Sequence, residues 1–216
     1  TWPDHLVDLK YALAWIRDRA DDFGIDPNFI AVTGGSAGGH LTAMMALTAN
    51  DPEYQPGFEA ADTSVQAAVP VYGVYDFTNR LQTMHERFLK QMLQPLIIKA
   101  FFKTEPEKFH RASPIDRVHE AAPPFLVIHG DRDTLAPVED ARVFVEKLRE
   151  SSSAPVFYAE LRGAQHAFDI FASPRTASML EGTLRFLSAM RGHAEARVEV
   201  QSSYTSAMGS VTSPPS

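Results

Sequence analysis

Six residues, Gly34-Gly35-Ser36-Ala37-Gly38-Gly39, set one hydroxyl between two glycine pairs. They follow the β-branched apolar run "FIAVTG" and precede the small, apolar, helical run "AGGHLTAMMALTAN". A G-x-S-x-G pattern between a strand and a helix puts its serine on a sharp, strained turn at the top of a sheet. Gly34 and Gly38 are expected to be small because their backbones pass close to each other under that turn. Ser36 Oγ is then open at a helix N-terminus, and the Ala37 N–H points to where an oxyanion would form. The turn alone also suits a plain glycine-rich loop that binds phosphate or nothing, so the nucleophile reading depends on partners elsewhere in the chain.

A serine hydroxyl is a weak nucleophile near neutral pH and needs a base oriented by a third group. The order Ser, Asp, His, with each residue after its own strand, would supply both. Asp131 and Asp133 follow the apolar run "FLVIH". Asp131, closer to the strand, is suited to bond loop amides. Asp133, further out on the turn, is better placed to reach a histidine loop. Of eight histidines, His166 in "RGAQHAFD" follows the run "PVFYAEL" and precedes the last helical segment. His40 and His129 read as packing or supporting hydrogen-bond residues.

The elements that must hold these residues alternate along the chain. Residues 4–20 carry Leu6, Leu9, Leu13, Ile16 and Ala20 at helical spacing, with Pro3 suited to a first turn and Thr1 or Asp4 to a cap. Strands are expected at "FIAVTG", "VQAAVPVYGVYD", "PPFLVIHGDRD" and "PVFYAEL", and helices after the serine and over 137–150 and 174–191. Apolar strands separated by helices predict an α/β fold with a mainly parallel sheet and helices on both faces. Residues 79–120 break the alternation and read as a mostly helical insert, within a domain spanning 1–191. Its stretch "FLKQMLQPLIIKAFFK" has Leu89, Met92, Leu93, Leu96, Ile97, Ala100 and Phe101 at helical spacing, broken by Pro95. An apolar lid over the serine and an ordinary packed helix both fit it. Tyr72, Tyr75 and Asp76 follow the second strand and could line the pocket, with structural packing an equal reading for Tyr72. Residues 192–216 are polar, Ser-rich and non-periodic, and read as a disordered tail.

The bulk properties narrow the partners. A net charge of −7 argues against nucleic acid. The absence of cysteine excludes disulfides, thiolate catalysis and cysteine-ligated zinc. No run of about 18 apolar residues is present, so nothing in the chain reads as a membrane span.

Taken together, "GIDPNFIAVTGGSAGGHLTAMMAL", "PVYGVYDF", "PPFLVIHGDRDTLAPV" and "GAQHAFD" resemble the α/β-hydrolase superfamily. Within it, the likeness is to carboxylesterases of the hormone-sensitive-lipase-like and BD-FAE-like groups, the mycobacterial Lip esterases among them. The resemblance implies Ser36 as nucleophile, His166 as base and Asp133, last in an HGxxD pattern, as the acid. It implies hydrolysis of carboxylic esters through an acyl-enzyme, with no metal or organic cofactor. The implied partner is a small-molecule ester with an apolar acyl group, and the insert is the place for a cap. In that family further oxyanion donors lie in an HGG-type loop, and this chain has only His129-Gly130, on the acid strand. The family also has strands ahead of the helix at which the chain begins. The chain therefore reads as the C-terminal portion of the fold, and as a poor enzyme by itself, since one lost oxyanion donor costs about 10²–10³ in rate. The location stays open between the cytoplasm and the cell envelope, the latter through an upstream segment, and the lid is a second place for membrane contact. Amide cleavage, as in an arylformamidase or serine peptidase, uses the same triad order. A non-catalytic binding module of this fold is the reading from a different class.

Overall fold

The computed structural model describes residues 1–209. It begins with α1 (Asp4–Asp18) and the short α2 (Ala20–Phe23), which ends on a left-handed Gly24. Strand β1 (Ala31–Gly35) leads through Ser36 into α3 (Ala37–Leu47). After β2 (Ala67–Val71) comes the helical region: α4 (Glu86–Phe88), a π-helix over Leu89–Ile98, α5 (Pro106–Ala112) and a 3₁₀ turn at Pro114–Arg117. Then follow β3 (Phe125–Gly130), α6 (Val138–Ser151), β4 (Val156–Leu161) and α7 (Pro174–Gly209).

The four strands form one parallel sheet in the order β1-β2-β3-β4. Both central strands are buried along their whole length, which is why "AAVPV" and "FLVIHG" read as continuous apolar runs with no polar alternation. Side-chain alternation divides the core into two layers. Ala68, Phe125 and Val127 face one way, against Leu6 and Leu13 of α1, Met44 of α3 and Phe144 of α6. Val69, Val71, Leu126 and Ile128 face the other way, against Phe186 of α7. The helical region has a core of its own, built on Phe77, Leu93, Ile98 and Phe109.

Parallel pairing brings the strand ends into line. Gly35 is in register with Val71, Val71 with Ile128, and Gly130 with Leu161. The loops that leave the C-terminal ends of all four strands therefore meet at one end of the sheet, where α/β folds build their sites.

Three expectations need correction. Of the stripe, Leu6 and Leu13 of α1 and Ala20 of α2 are buried, but Leu9 and Ile16 are each 38% exposed. They line an open groove beside β1, an edge strand of the sheet. The position between Leu6 and Leu13 is filled instead by Lys10, which is fully buried. Its ammonium donates to Thr48 O and, at 3.2 Å, to Thr63 Oγ1. Second, Pro95 does not break its helix. The wider π turn over Leu89–Ile98 relieves the clash between a proline ring and the carbonyl four residues earlier. Third, α7 continues to Gly209, so residues 192–209, expected to be disordered, are helical. "HAEAR" is rich in helix formers, and Arg191 pairs with Glu195 one turn on. The remainder of the expected tail, 210–216, lies outside the described residues. Among the described residues no helix is long and apolar enough to cross a membrane.

Candidate active site

Ser36 lies between β1 and α3 with φ 58° and ψ −119°, a backbone conformation that a non-glycine residue rarely adopts. Two contacts fix the turn. Ser36 N–H donates to Val71 O at 3.0 Å, and His40 N–H donates back to Ser36 O at 3.1 Å. The glycines around it are not equivalent. A Cβ on Gly34 would lie 2.7 Å from Gly38 O, and one on Gly35 would lie 2.6 Å from the Tyr72 hydroxyl. A Cβ on Gly39 would meet Val71 O at 2.7 Å, which is how closely α3 crosses the end of β2. A Cβ on Gly38 would meet nothing within 4 Å. The expected close approach is therefore real, but it constrains Gly34 and not Gly38.

Asp133 stands on the turn after β3. Its Oδ1 accepts the N–H groups of Leu135 at 2.9 Å and Ala136 at 2.8 Å, which leaves Oδ2 for another partner. That partner is His166 Nδ1, at 2.7 Å. Burial pushes the Asp133 carboxyl up, but the His166 bond and the two backbone donors outweigh it and hold the pKa below its ordinary value. A carboxylate only accepts, so His166 Nδ1 carries the hydrogen and Nε2 carries the lone pair. Nε2 is 2.8 Å from Ser36 Oγ. Ser36, His166 and Asp133 thus form one continuous hydrogen-bonded chain, joining loops after β1, β4 and β3.

The neighbours hold this chain in place. Asp131 accepts Gly163 N–H at 2.6 Å and ties the β3 and β4 loops together without touching His166. His129 Nε2 donates to Ala136 O at 2.9 Å, beneath the Asp133 turn. Tyr72 has φ 37° and packs its ring 4.8 Å from that of His166, while its hydroxyl donates to Asp169. Burial and that carboxylate push the Tyr72 hydroxyl pKa up. Ala167, directly after His166, is also left-handed at φ 56°. Strained backbone therefore occurs at Ser36, beside His166 and under it.

A cavity of about 250 Å³ opens onto Ser36, Ala37 and His166. Its apolar wall comes from Phe77, Phe88, Met92, Ile97 and Leu135, so the helical region does reach over the serine. Neither Tyr72 nor Asp76, read from the sequence as possible pocket residues, lines it. Tyr72 supports the histidine from below. Asp76 is buried and accepts from Thr78 N–H at 2.9 Å and Arg80 N–H at 2.8 Å, so it folds the start of the insert. Sequence reasoning missed Leu135 and His5 as lining residues. The usable signal for Leu135 was its place two residues past Asp133.

A family model described as BD-FAE matches residues 1–148. The chain is 50% identical over 188 residues to a probable carboxylic ester hydrolase, LipM, of Mycobacterium tuberculosis, covering 87% of this chain and 43% of that protein. It is 49% identical over 192 residues to esterase LipQ of the same organism, covering 89% and 45%. The chain thus spans less than half the length of these curated relatives. Among solved structures it resembles a truncated carbohydrate esterase from gut microbiota, with TM-score 0.71, 24% identity, and 88% of this chain and 69% of that one covered. It also resembles esterase Est2 of Thermogutta terrifontis, with TM-score 0.69, 24% identity, and 86% and 63% covered. At that identity these two likenesses speak to the fold alone. The strand–turn–helix around Ser36, the parallel sheet and these matches agree: the chain belongs to the BD-FAE family and carries an α/β-hydrolase fold.

Proposed function

We propose that this chain holds the reacting groups of a carboxylic ester hydrolase that works through an acyl-enzyme. The observation that carries the reading is the bonded chain Ser36–His166–Asp133, at 2.8 and 2.7 Å, with the serine on strained backbone at the mouth of an apolar cavity. The relatives about 50% identical are an esterase and a probable carboxylic ester hydrolase, which supports ester rather than amide substrates.

In this reading Ser36 Oγ attacks the ester carbonyl carbon while its proton passes to His166 Nε2. Asp133 holds the imidazole in the tautomer that can accept that proton and stabilises the imidazolium. Charge builds on the carbonyl oxygen, and the Ala37 N–H, at the start of α3, donates to it. The tetrahedral intermediate collapses as His166 returns the proton to the leaving alkoxide, giving an alcohol and the acylated Ser36. A water then gives a proton to His166 and attacks the acyl carbon; as this second intermediate collapses, His166 returns the proton to Ser36 Oγ and the acid leaves. A cavity of about 250 Å³ walled by Phe77, Phe88, Met92 and Ile97 suits a short apolar group on the substrate. Residues 79–120 act as its cap.

The test is a pre-steady-state assay with p-nitrophenyl butyrate and the matched p-nitroanilide. Release of p-nitrophenol with the wild type, abolished in Ser36→Ala, is the expected result. Equal release from the alanine variant would overturn the assignment. Faster release from the anilide would move the reading to amide hydrolysis.

A further inference from the structure

The triad account makes no use of His40, yet this residue forms part of the cavity wall beside Ser36. It stands in the first turns of α3, and its N–H donates to Ser36 O at 3.1 Å. Its ring is 3% exposed, stacked on Phe77 with centroids 4.5 Å apart, and edge-on to Trp2 at 5.8 Å. His40 Nε2 lies 2.7 Å from Ala112 O, at the end of α5. A carbonyl only accepts, so Nε2 carries the hydrogen. Burial holds the ring's pKa down to about 4, so it is neutral at pH 7 and Nδ1 carries a lone pair. Nδ1 has no hydrogen-bond partner among the described residues. It is not sealed in the protein either, unlike His129 Nδ1, which is buried with no partner. Fastening α3 to the insert uses Nε2 alone. What remains is a hydrogen-bond acceptor in a wall otherwise built mainly of apolar side chains.

We propose that His40 determines specificity: its Nδ1 accepts a hydrogen bond from a hydroxyl group of the substrate, so that hydroxylated esters are selected over plain alkyl esters. The inference rests on the ester reading of the same site. Ser36 and His40 line the same cavity, so the hydroxyl belongs a few bonds from the reacting carbonyl. It can lie on the acyl side or on the alcohol side, and the two are separable.

The experiment measures acylation rates of the protein with two matched pairs of esters. One pair is p-nitrophenyl 3-hydroxybutyrate and p-nitrophenyl butyrate; the other is glycerol monobutyrate and propyl butyrate. In the wild type the hydroxylated member of one pair should react about 3–10-fold faster, the range for one neutral hydrogen bond. The favoured pair identifies the side that carries the hydroxyl. In His40→Phe, which keeps a ring against Phe77, that ratio should fall to about one. Ratios are read within each protein, so a general loss of activity cancels. Equal rates within both pairs in the wild type would overturn the inference whether or not the variant folds. An unchanged ratio in His40→Phe would overturn it as well. No acylation by any of the four esters, with Ser36 still labelled by a fluorophosphonate, would instead sink the ester reading and this inference with it.

Discussion

A Cβ placed on Gly34 would lie 2.7 Å from the carbonyl oxygen of Gly38, whereas one placed on Gly38 would touch nothing. The two glycines of the G-x-S-x-G pattern are thus held to different standards. Gly34→Ala must push α3 off β1 and should lower Ser36 reactivity by about 10²-fold or more, since displacements of about 1 Å cost that much. Gly38→Ala removes a flexible residue from the first turn of α3 and should be neutral or stabilising by roughly 0.5–1 kcal/mol. Labelling rates at Ser36 and thermal midpoints of both variants check this asymmetry; equal damage from the two would refute it.

The two aspartates after β3 should separate just as cleanly. Asp133→Asn leaves His166 in the wrong tautomer and should reduce acylation by about 10⁴-fold. Asp131→Asn loses one charge-assisted bond, to Gly163 N–H, and should lower stability by roughly 1–2 kcal/mol while Ser36 still acylates. Rates and denaturation midpoints of both proteins decide between them.

Asp140 is a buried carboxyl near the start of α6. Its Oδ1 accepts from Thr83 at 3.0 Å, and its Oδ2 has no partner. Burial pushes its pKa from 3.8 up to about 6. A folded pKa above the unfolded one means that its contribution is full below pH 3.8 and is lost as pH rises through 6. Asp140→Asn cannot ionise. It should therefore be more stable than wild type at pH 7.5, by an amount on the order of 1–3 kcal/mol, and the gap should close by pH 4. A gap of the same size at both pH values would refute the assignment.

Lys10 gives the opposite slope. Burial lowers its pKa from 10.5 to about 8. Between those values the unfolded chain holds the proton more tightly, so stability rises with pH across that window and falls as pH drops through 8. Lys10→Met should flatten this dependence. Urea midpoints of both proteins at pH 7.5 and pH 10 measure it.

These residues also mark how far the sequence could be read. The order of β1, Ser36, Asp133 and His166 was legible because each chemical residue lies in the short loop after an apolar run, and local pattern alone places such a residue near a strand end. Lys10 was not, because a lysine at a stripe position reads as solvent-facing. Only the meeting of α1 with Thr48 and Thr63, far away in sequence, supplies its partners. Leu9 and Ile16 share the helical spacing of the buried Leu6 and Leu13, but periodicity reports a face and not what covers it. The place of Tyr72 and Asp76 after β2 suits a pocket and, for Tyr72, packing equally. Both instead serve neighbours fixed by tertiary contacts: Tyr72 the loop of His166 and Asp169, Asp76 the turn through Arg80. His40 was read as a packing residue, which its Phe77 stack bears out. Its open Nδ1 follows from the Ala112 bond, which joins residues 72 positions apart.

The most direct test of the central claim is to label the protein with a fluorophosphonate and map the modified residue by mass spectrometry. Wild type, Ser36→Ala and His166→Ala would be run side by side. The account predicts modification at Ser36 in the wild type, none in Ser36→Ala, and labelling slowed by about 10³-fold or more in His166→Ala. Modification elsewhere, or a His166→Ala protein labelled as fast as wild type, would contradict the bonded chain from Ser36 through His166 to Asp133 as the source of reactivity.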